Sequence, residues 1–95
     1  MAAELDIYNP SDLGTPMGQY THVTRVKATE FLFIAGMLSG DAQDNIVGEG
    51  DFTAQTRQVF SNVEAALRSA GASWANVVQF TTYMVHLQDI PKLRA

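Results

Sequence analysis

At 95 residues the chain has the length of one small domain, and with 46% hydrophobic residues it can build a core, though a thin one. A formal charge of −4, an isoelectric point near 4.8 and the lack of any basic run argue against a nucleic-acid groove. Cysteine is absent, which excludes disulfides, thiol catalysis and cysteine-based zinc sites.

The opening, MAAELDIYNP, has no basic patch followed by an apolar run, so it does not read as a signal peptide. Residues 4–9 can form a short strand, and Asn9-Pro10-Ser11-Asp12 marks a turn. Gly14, Pro16 and Gly18 make the next stretch an irregular loop. Tyr20 to Ala28 alternates as a half-buried strand does, with Tyr20, His22, Thr24, Val26 and Ala28 on one face. Thr29-Glu30 is a two-residue break that predicts a tight hairpin, although neither residue is the Asn or Gly such turns prefer. Phe31 to Leu38 is a nearly continuous apolar strand, the pattern expected when both faces are covered. It is also the longest apolar run, and it is too short to span a bilayer. These features predict a cytoplasmic protein with no membrane partner.

Ser39 to Gly50, rich in Gly, Asp and Asn, reads as a long surface loop. A helix follows, between Asp51 and Gly71. Phe52, Val59, Phe60, Val63, Ala66, Leu67 and Ala70 form one apolar stripe, while Arg57, Gln58, Ser61, Glu64 and Arg68 fall mostly on the wet side. Asp51 suits the N-cap and Gly71 the left-handed residue that ends a helix. Ser73-Trp74-Ala75-Asn76 reads as one capped turn. Val77 to Leu87 is dense in β-formers and predicts another strand, after which Asp89-Ile90-Pro91 begins a second helix. The order β-β-α-β predicts a right-handed crossover between strands 31–38 and 77–87, with the helix on one sheet face. The other face then calls for a second subunit.

The residues alone assign no chemistry. His22 and His86 sit in different strands with no metal-ligand spacing, and a lone His in a strand is ordinarily structural. Asp41, Asp44, Glu49 and Asp51 lack the glycine and terminal glutamate of an EF-hand and read as solvated charge. The glycines form no phosphate-binding fingerprint, and Ser39-Gly40 is no nucleophile elbow. Trp74 suits a cap over the core. Gly36, inside the apolar run, marks either a bulge or a place where something approaches the backbone.

Taken together, Pro16-Met17-Gly18-Gln19-Tyr20-Thr21-His22, Phe33-Ile34-Ala35-Gly36-Met37-Leu38, Ala54-Gln55-Thr56-Arg57-Gln58, Asn62, Ala70-Gly71-Ala72-Ser73, Asn76-Val77-Val78 and Thr81-Thr82-Tyr83 resemble the reactive intermediate deaminases, the Rid or YjgF family. The resemblance runs from about residue 16 to residue 91. It implies an α+β fold like that of bacterial chorismate mutase, β-β-α-β with a mixed sheet packed on the helix, assembled as a homotrimeric barrel. Residues 1–95 would then be a single Rid-like domain lacking the family's C-terminal portion. The implied activity is cofactor-free hydrolysis of reactive enamines and imines to 2-keto acids and ammonia, in a pocket between subunits that takes a small carboxylate or imine metabolite and no metal. Carried over singly, Tyr20 matches the pocket tyrosine and Gly36 the glycine whose backbone meets the ligand, flanked by Ala35 and Met37. Ala35 stands where the family has serine. Arg94 stands where active deaminases have asparagine, and is a candidate ligand contact. The family's carboxylate-binding arginine and late glutamate would lie beyond residue 95, so no catalytic residue is assigned. The alternative on the same fold is a non-catalytic module that binds or senses a small molecule.

Overall fold

The computed structural model describes residues 4–18 and 20–94, the side chain of Arg94 excepted. Gln19, one of the residues that carry the resemblance, lies outside the described residues. The chain forms strands β1 (Glu4–Tyr8) and β2 (Val23–Lys27), helix α1 (Phe52–Ser69) and a short helix α2 (Ile90–Arg94). Single 3-10 turns occupy Trp74–Asn76 and Leu87–Asp89. The class is α+β. Two compact units emerge, one ending at Leu32 and the other beginning at Phe33.

In the N-terminal unit β1 and β2 pair antiparallel, with Glu4 opposite Lys27, Leu5 opposite Val26, Asp6 opposite Arg25 and Ile7 opposite Thr24. This register has a clear cause. It sets opposite charges across from each other on one face and apolar or β-branched residues on the other, and each such cross-strand pair contributes about 0.2–1 kcal/mol. A one-residue slip would reverse both faces. The alternation expected for 20–28 is therefore present, shortened to Val23–Lys27. Its partner is not the one expected, because β2 pairs with β1 and the predicted hairpin at Thr29-Glu30 does not form. Thr29-Glu30 lacks the positive-φ residues a two-residue turn requires, and β1 supplies a better-matched edge.

In the C-terminal unit α1 is as the periodicity predicts. Asp51 caps it, its Oδ1 accepting from the Ala54 N–H at 3.2 Å. At the other end Gly71 takes φ +72°. The Ala72 N–H donates to Leu67 O at 2.9 Å and the Gly71 N–H to Arg68 O at 3.0 Å, which is a Schellman closure. Its outer bond joins Leu67 to Ala72, the two apolar residues that are buried among those described, so the helix exit and the centre of the core coincide. The stripe continues through Phe60, whose ring meets Trp74 at 5.8 Å and Phe80 edge-on at 6.2 Å between centroids. Trp74 thus covers the core as expected, seated on a 3-10 turn closed by the Ser73–Asn76 capping box. α2 lies against α1 and carries Pro91 near its start, where the missing N–H costs nothing.

The segments expected as strands at 31–38 and 77–87 enter no ladder, so the sheet among the described residues is two-stranded and antiparallel rather than mixed, and the crossover unit is not built. High β-propensity expresses fit to a pleated, half-buried surface rather than a preference of the isolated backbone. Here that surface is absent: Phe33 is 91% exposed, Tyr83 93% and Val85 91%.

Candidate functional site

The backbone from Leu38 onward turns sharply into a compact knuckle. The Val47 N–H donates to Ser39 O at 2.7 Å, and Gly40 bridges Ile46. Asp41 organises it. Its Oδ1 accepts from the Gln43 and Asn45 N–H groups, each at 2.9 Å, and Oδ2 accepts from Asn45 Nδ2 at 3.4 Å. The Asn45 N–H, foremost, holds the Asp41 carboxyl below its ordinary value, with Gln43 and the Asn45 side chain adding to the effect against a smaller opposing cost of desolvation. The acidic loop is thus a structural turn, and among the described residues no group of three or more His, Asp or Glu is placed to hold a metal ion. The knuckle returns to the helix at Gly48, where φ is +74° and an added Cβ would lie 2.7 Å from Ala54 Cβ.

Two amides on α1, one turn apart, hold the start of this knuckle. Asn62 Nδ2 donates to Leu38 O at 3.0 Å and to Gly40 O at 2.9 Å. Gln58 Nε2 donates to Asn62 Oδ1 at 2.9 Å and to Gly40 O at 3.3 Å. Gln58, expected on the wet side of the helix, is half-buried in this network. A Gln/Asn pair at i, i+4 beside an apolar stripe is the sequence signal that could have shown it.

Ala35, Gly36 and Met37 precede that anchor. Ala35 and Gly36 are exposed and Met37 is half-buried. Gly36 has no positive φ, and a Cβ built on it meets nothing within 4 Å. The backbone there is open to an incoming group. Tyr20 belongs to the N-terminal unit. It is 58% exposed, and its hydroxyl accepts from the Met17 N–H at 3.4 Å. Its ring meets His22 edge-on at 6.2 Å. The His22 N–H donates to Asn9 Oδ1 at 2.8 Å, which ties β2 to the turn after β1, while Nδ1 is enclosed without a hydrogen-bond partner among the described residues. Arg94 ends α2, and its side chain lies outside the described residues.

An open cleft of about 500 Å³ runs along the outer side of α1, between Arg57, Phe60, Glu64, Trp74 and Lys92. The candidate ligand contacts Tyr20, Ala35, Gly36 and Met37 do not line it. Its cations are offset by Glu64 and by Asp89, which Lys92 meets at 3.7 Å.

The family whose sequence model matches residues 12–95 is described as Endoribonuclease L-PSP. A RutC family protein of Pyrococcus horikoshii is 38% identical over 78 residues, covering 82% of this chain and 60% of that protein. A RutC family protein of Synechocystis is 34% identical over 92 residues, covering 96% of this chain and 69% of the relative. The 3-aminoacrylate deaminase RutC of Acinetobacter baylyi is 30% identical over 80 residues, covering 84% of this chain and 64% of that enzyme. The chain thus spans about 60% of the length of several curated relatives it matches. No solved structure matches it significantly.

Proposed function

We propose, for a chain that belongs to the Rid (Endoribonuclease L-PSP) family, that it contributes the ligand-facing backbone of a cofactor-free enamine and imine deaminase. The observation that carries this reading is the 30% identity to a 3-aminoacrylate deaminase. That compound is itself an enamine bearing a carboxylate, the chemical class proposed here. In the reaction the enamine tautomerises to the imine, water adds to the imine carbon, and the carbinolamine collapses to a carbonyl with release of ammonia. Nothing is oxidised or reduced, and one water is consumed per ammonia formed.

The protein's task in such a step is to hold a planar carboxylate and imine still while water adds. In this reading backbone groups around Ala35, Gly36 and Met37 meet the substrate, the Tyr20 hydroxyl completes the polar lining, and Arg94 is a candidate contact for the carboxylate. The pocket lies between subunits of a homotrimer, in which the exposed apolar segments 31–38 and 77–87 become strands of a shared barrel. The many exposed large apolar side chains in these segments support assembly, since apolar surface of that kind marks association sites. The test is ammonia and pyruvate release from freshly generated 2-aminoacrylate. Release well above the spontaneous rate is expected, and a folded trimer that leaves the spontaneous rate unchanged would remove the reading. Tyr20→Phe should lower turnover while the trimer persists.

A second reading has one observation in its favour: Ala35 replaces the serine hydroxyl of the family's pattern. On that reading the same pocket binds small carboxylates without turnover. A keto acid that raises the melting temperature of a protein unable to release ammonia would select it.

A further inference from the structure

We propose that Asn62, braced by Gln58, is a positioning residue that sets the backbone of Ala35–Met37 for its ligand; the inference rests on the pocket reading above. The segment 31–38 has no ladder among the described residues, so no sheet partner in this chain fixes its direction. Its polar attachment is instead at its exit, where the Asn62 amide spans Leu38 O and Gly40 O and closes both onto α1. Gly40 O also accepts from Gln58 Nε2, and Gln58 in turn fixes the Asn62 amide by donating to its Oδ1. Oδ1 is therefore committed, which leaves the Asn62 NH₂ aimed at the two carbonyls. Gly36 lies two residues upstream of Leu38, within roughly 7 Å along the chain. A tilt at the anchor is therefore delivered directly to the backbone that meets the ligand. Displacements of about 1 Å at a reacting centre cost on the order of 100-fold in rate.

Asn62→Asp tests this with almost no change of shape. It replaces the donor NH₂ by an oxygen facing the Leu38 and Gly40 carbonyl oxygens, so the anchor is repelled, while Gln58 still donates to Oδ1. Asp51→Ala, which removes the helix cap far from the anchor, serves as a control that loses stability without touching it. The readouts on the full chain are backbone ¹⁵N order parameters at Ala35–Met37, hydrogen exchange of the Val47 amide, pyruvate affinity, and kcat and KM for 2-aminoacrylate. Asn62→Asp is expected to lower the order parameters, to speed Val47 exchange at least tenfold, and to weaken pyruvate binding and raise KM about tenfold or more. Asp51→Ala should lower the melting temperature and leave the order parameters at Ala35–Met37 and the pyruvate affinity unchanged. A folded Asn62→Asp protein with order parameters unchanged and pyruvate affinity within twofold of the parent would overturn the inference. Should Asn62→Asp fail to fold, Gln58→Met, which releases the brace while keeping the side chain's length, decides by the same criteria with smaller shifts. A parent protein that releases no ammonia removes the deaminase reading alone, and the order parameters then judge the anchor by themselves.

Discussion

Asp41 shows how one carboxylate can organise a loop. Its carboxyl is held below the ordinary value chiefly by the Asn45 N–H. A group whose folded value is depressed contributes stability that is present above its unfolded value and lost as pH falls through the folded one. The knuckle at 39–47 is therefore expected to loosen in acid, below the usual aspartate range, before α1 melts. The amide shifts of Gln43 and Asn45, followed by NMR against helix ellipticity, check this, and coincident transitions would refute it. Gly48 and Gly36 make an opposed pair. At Gly48 an alanine meets both a positive φ and the first turn of α1, so Gly48→Ala should cost about 1–3 kcal/mol in denaturant unfolding. At Gly36 there is open space. Gly36→Ala should leave protomer stability within about 0.5 kcal/mol yet weaken pyruvate binding, because the added methyl occupies the approach to the backbone. The sequence flagged Gly36 as a bulge or an approach, and the space beside its backbone is open. It gave Gly48 no special place, because the glycine answers to Ala54, a residue it meets only in space.

Among the elements, helix α1 was the most legible. Its stripe, its Asp51 cap, its Gly71 exit and the capped turn after it all depend on residues within a few positions of one another, and local rules suffice for them. Leu67 is 4% exposed and sits at the junction of helix and exit, so Leu67→Ala should be the costliest truncation on the stripe, about 2 kcal/mol or more by thermal or denaturant melting. Asp51→Ala should cost about 1 kcal/mol. A larger loss for the cap than for the leucine would show that helix formation, not burial, limits stability. The strands were legible as composition and not as pairing. Val23–Lys27 could be read, but its partner could not, since the choice between 4–8 and 31–38 turns on charge complementarity across the ladder and on a turn that Thr29-Glu30 does not make. Segments 31–38 and 77–87 carry the β-branched and aromatic residues of strands without a neighbour to pair with among the described residues. The side-chain amides of Gln58 and Asn62 escaped the pattern because helical periodicity sorts residues by polarity and says nothing of which carbonyl an amide will reach.

At the scale of the whole molecule, the family was legible because the resemblance is an ordered set of motifs along most of the chain, and the match over residues 12–95 agrees with it. The pocket proposed above rests on that resemblance alone. Its proposed parts come from positions far apart in sequence. The proposed assembly has a direct consequence for mutants. Phe33 and Val85 are both 91% exposed in the protomer, so Phe33→Glu and Val85→Glu should cost a lone protomer little. In sedimentation the parent should run as a trimer and the variants as monomers that keep their helical ellipticity. A parent that remains a well-folded monomer at every concentration would refute the assembly. The bare strips at 31–38 and 77–87 also bear on how the protein must be handled. On the proposed assembly a newly made copy has to meet its sisters before it meets any other sticky surface, so dilute refolding, the usual safeguard against precipitation, should reduce recovery. Synthesis from adjacent ribosomes on one message should raise it.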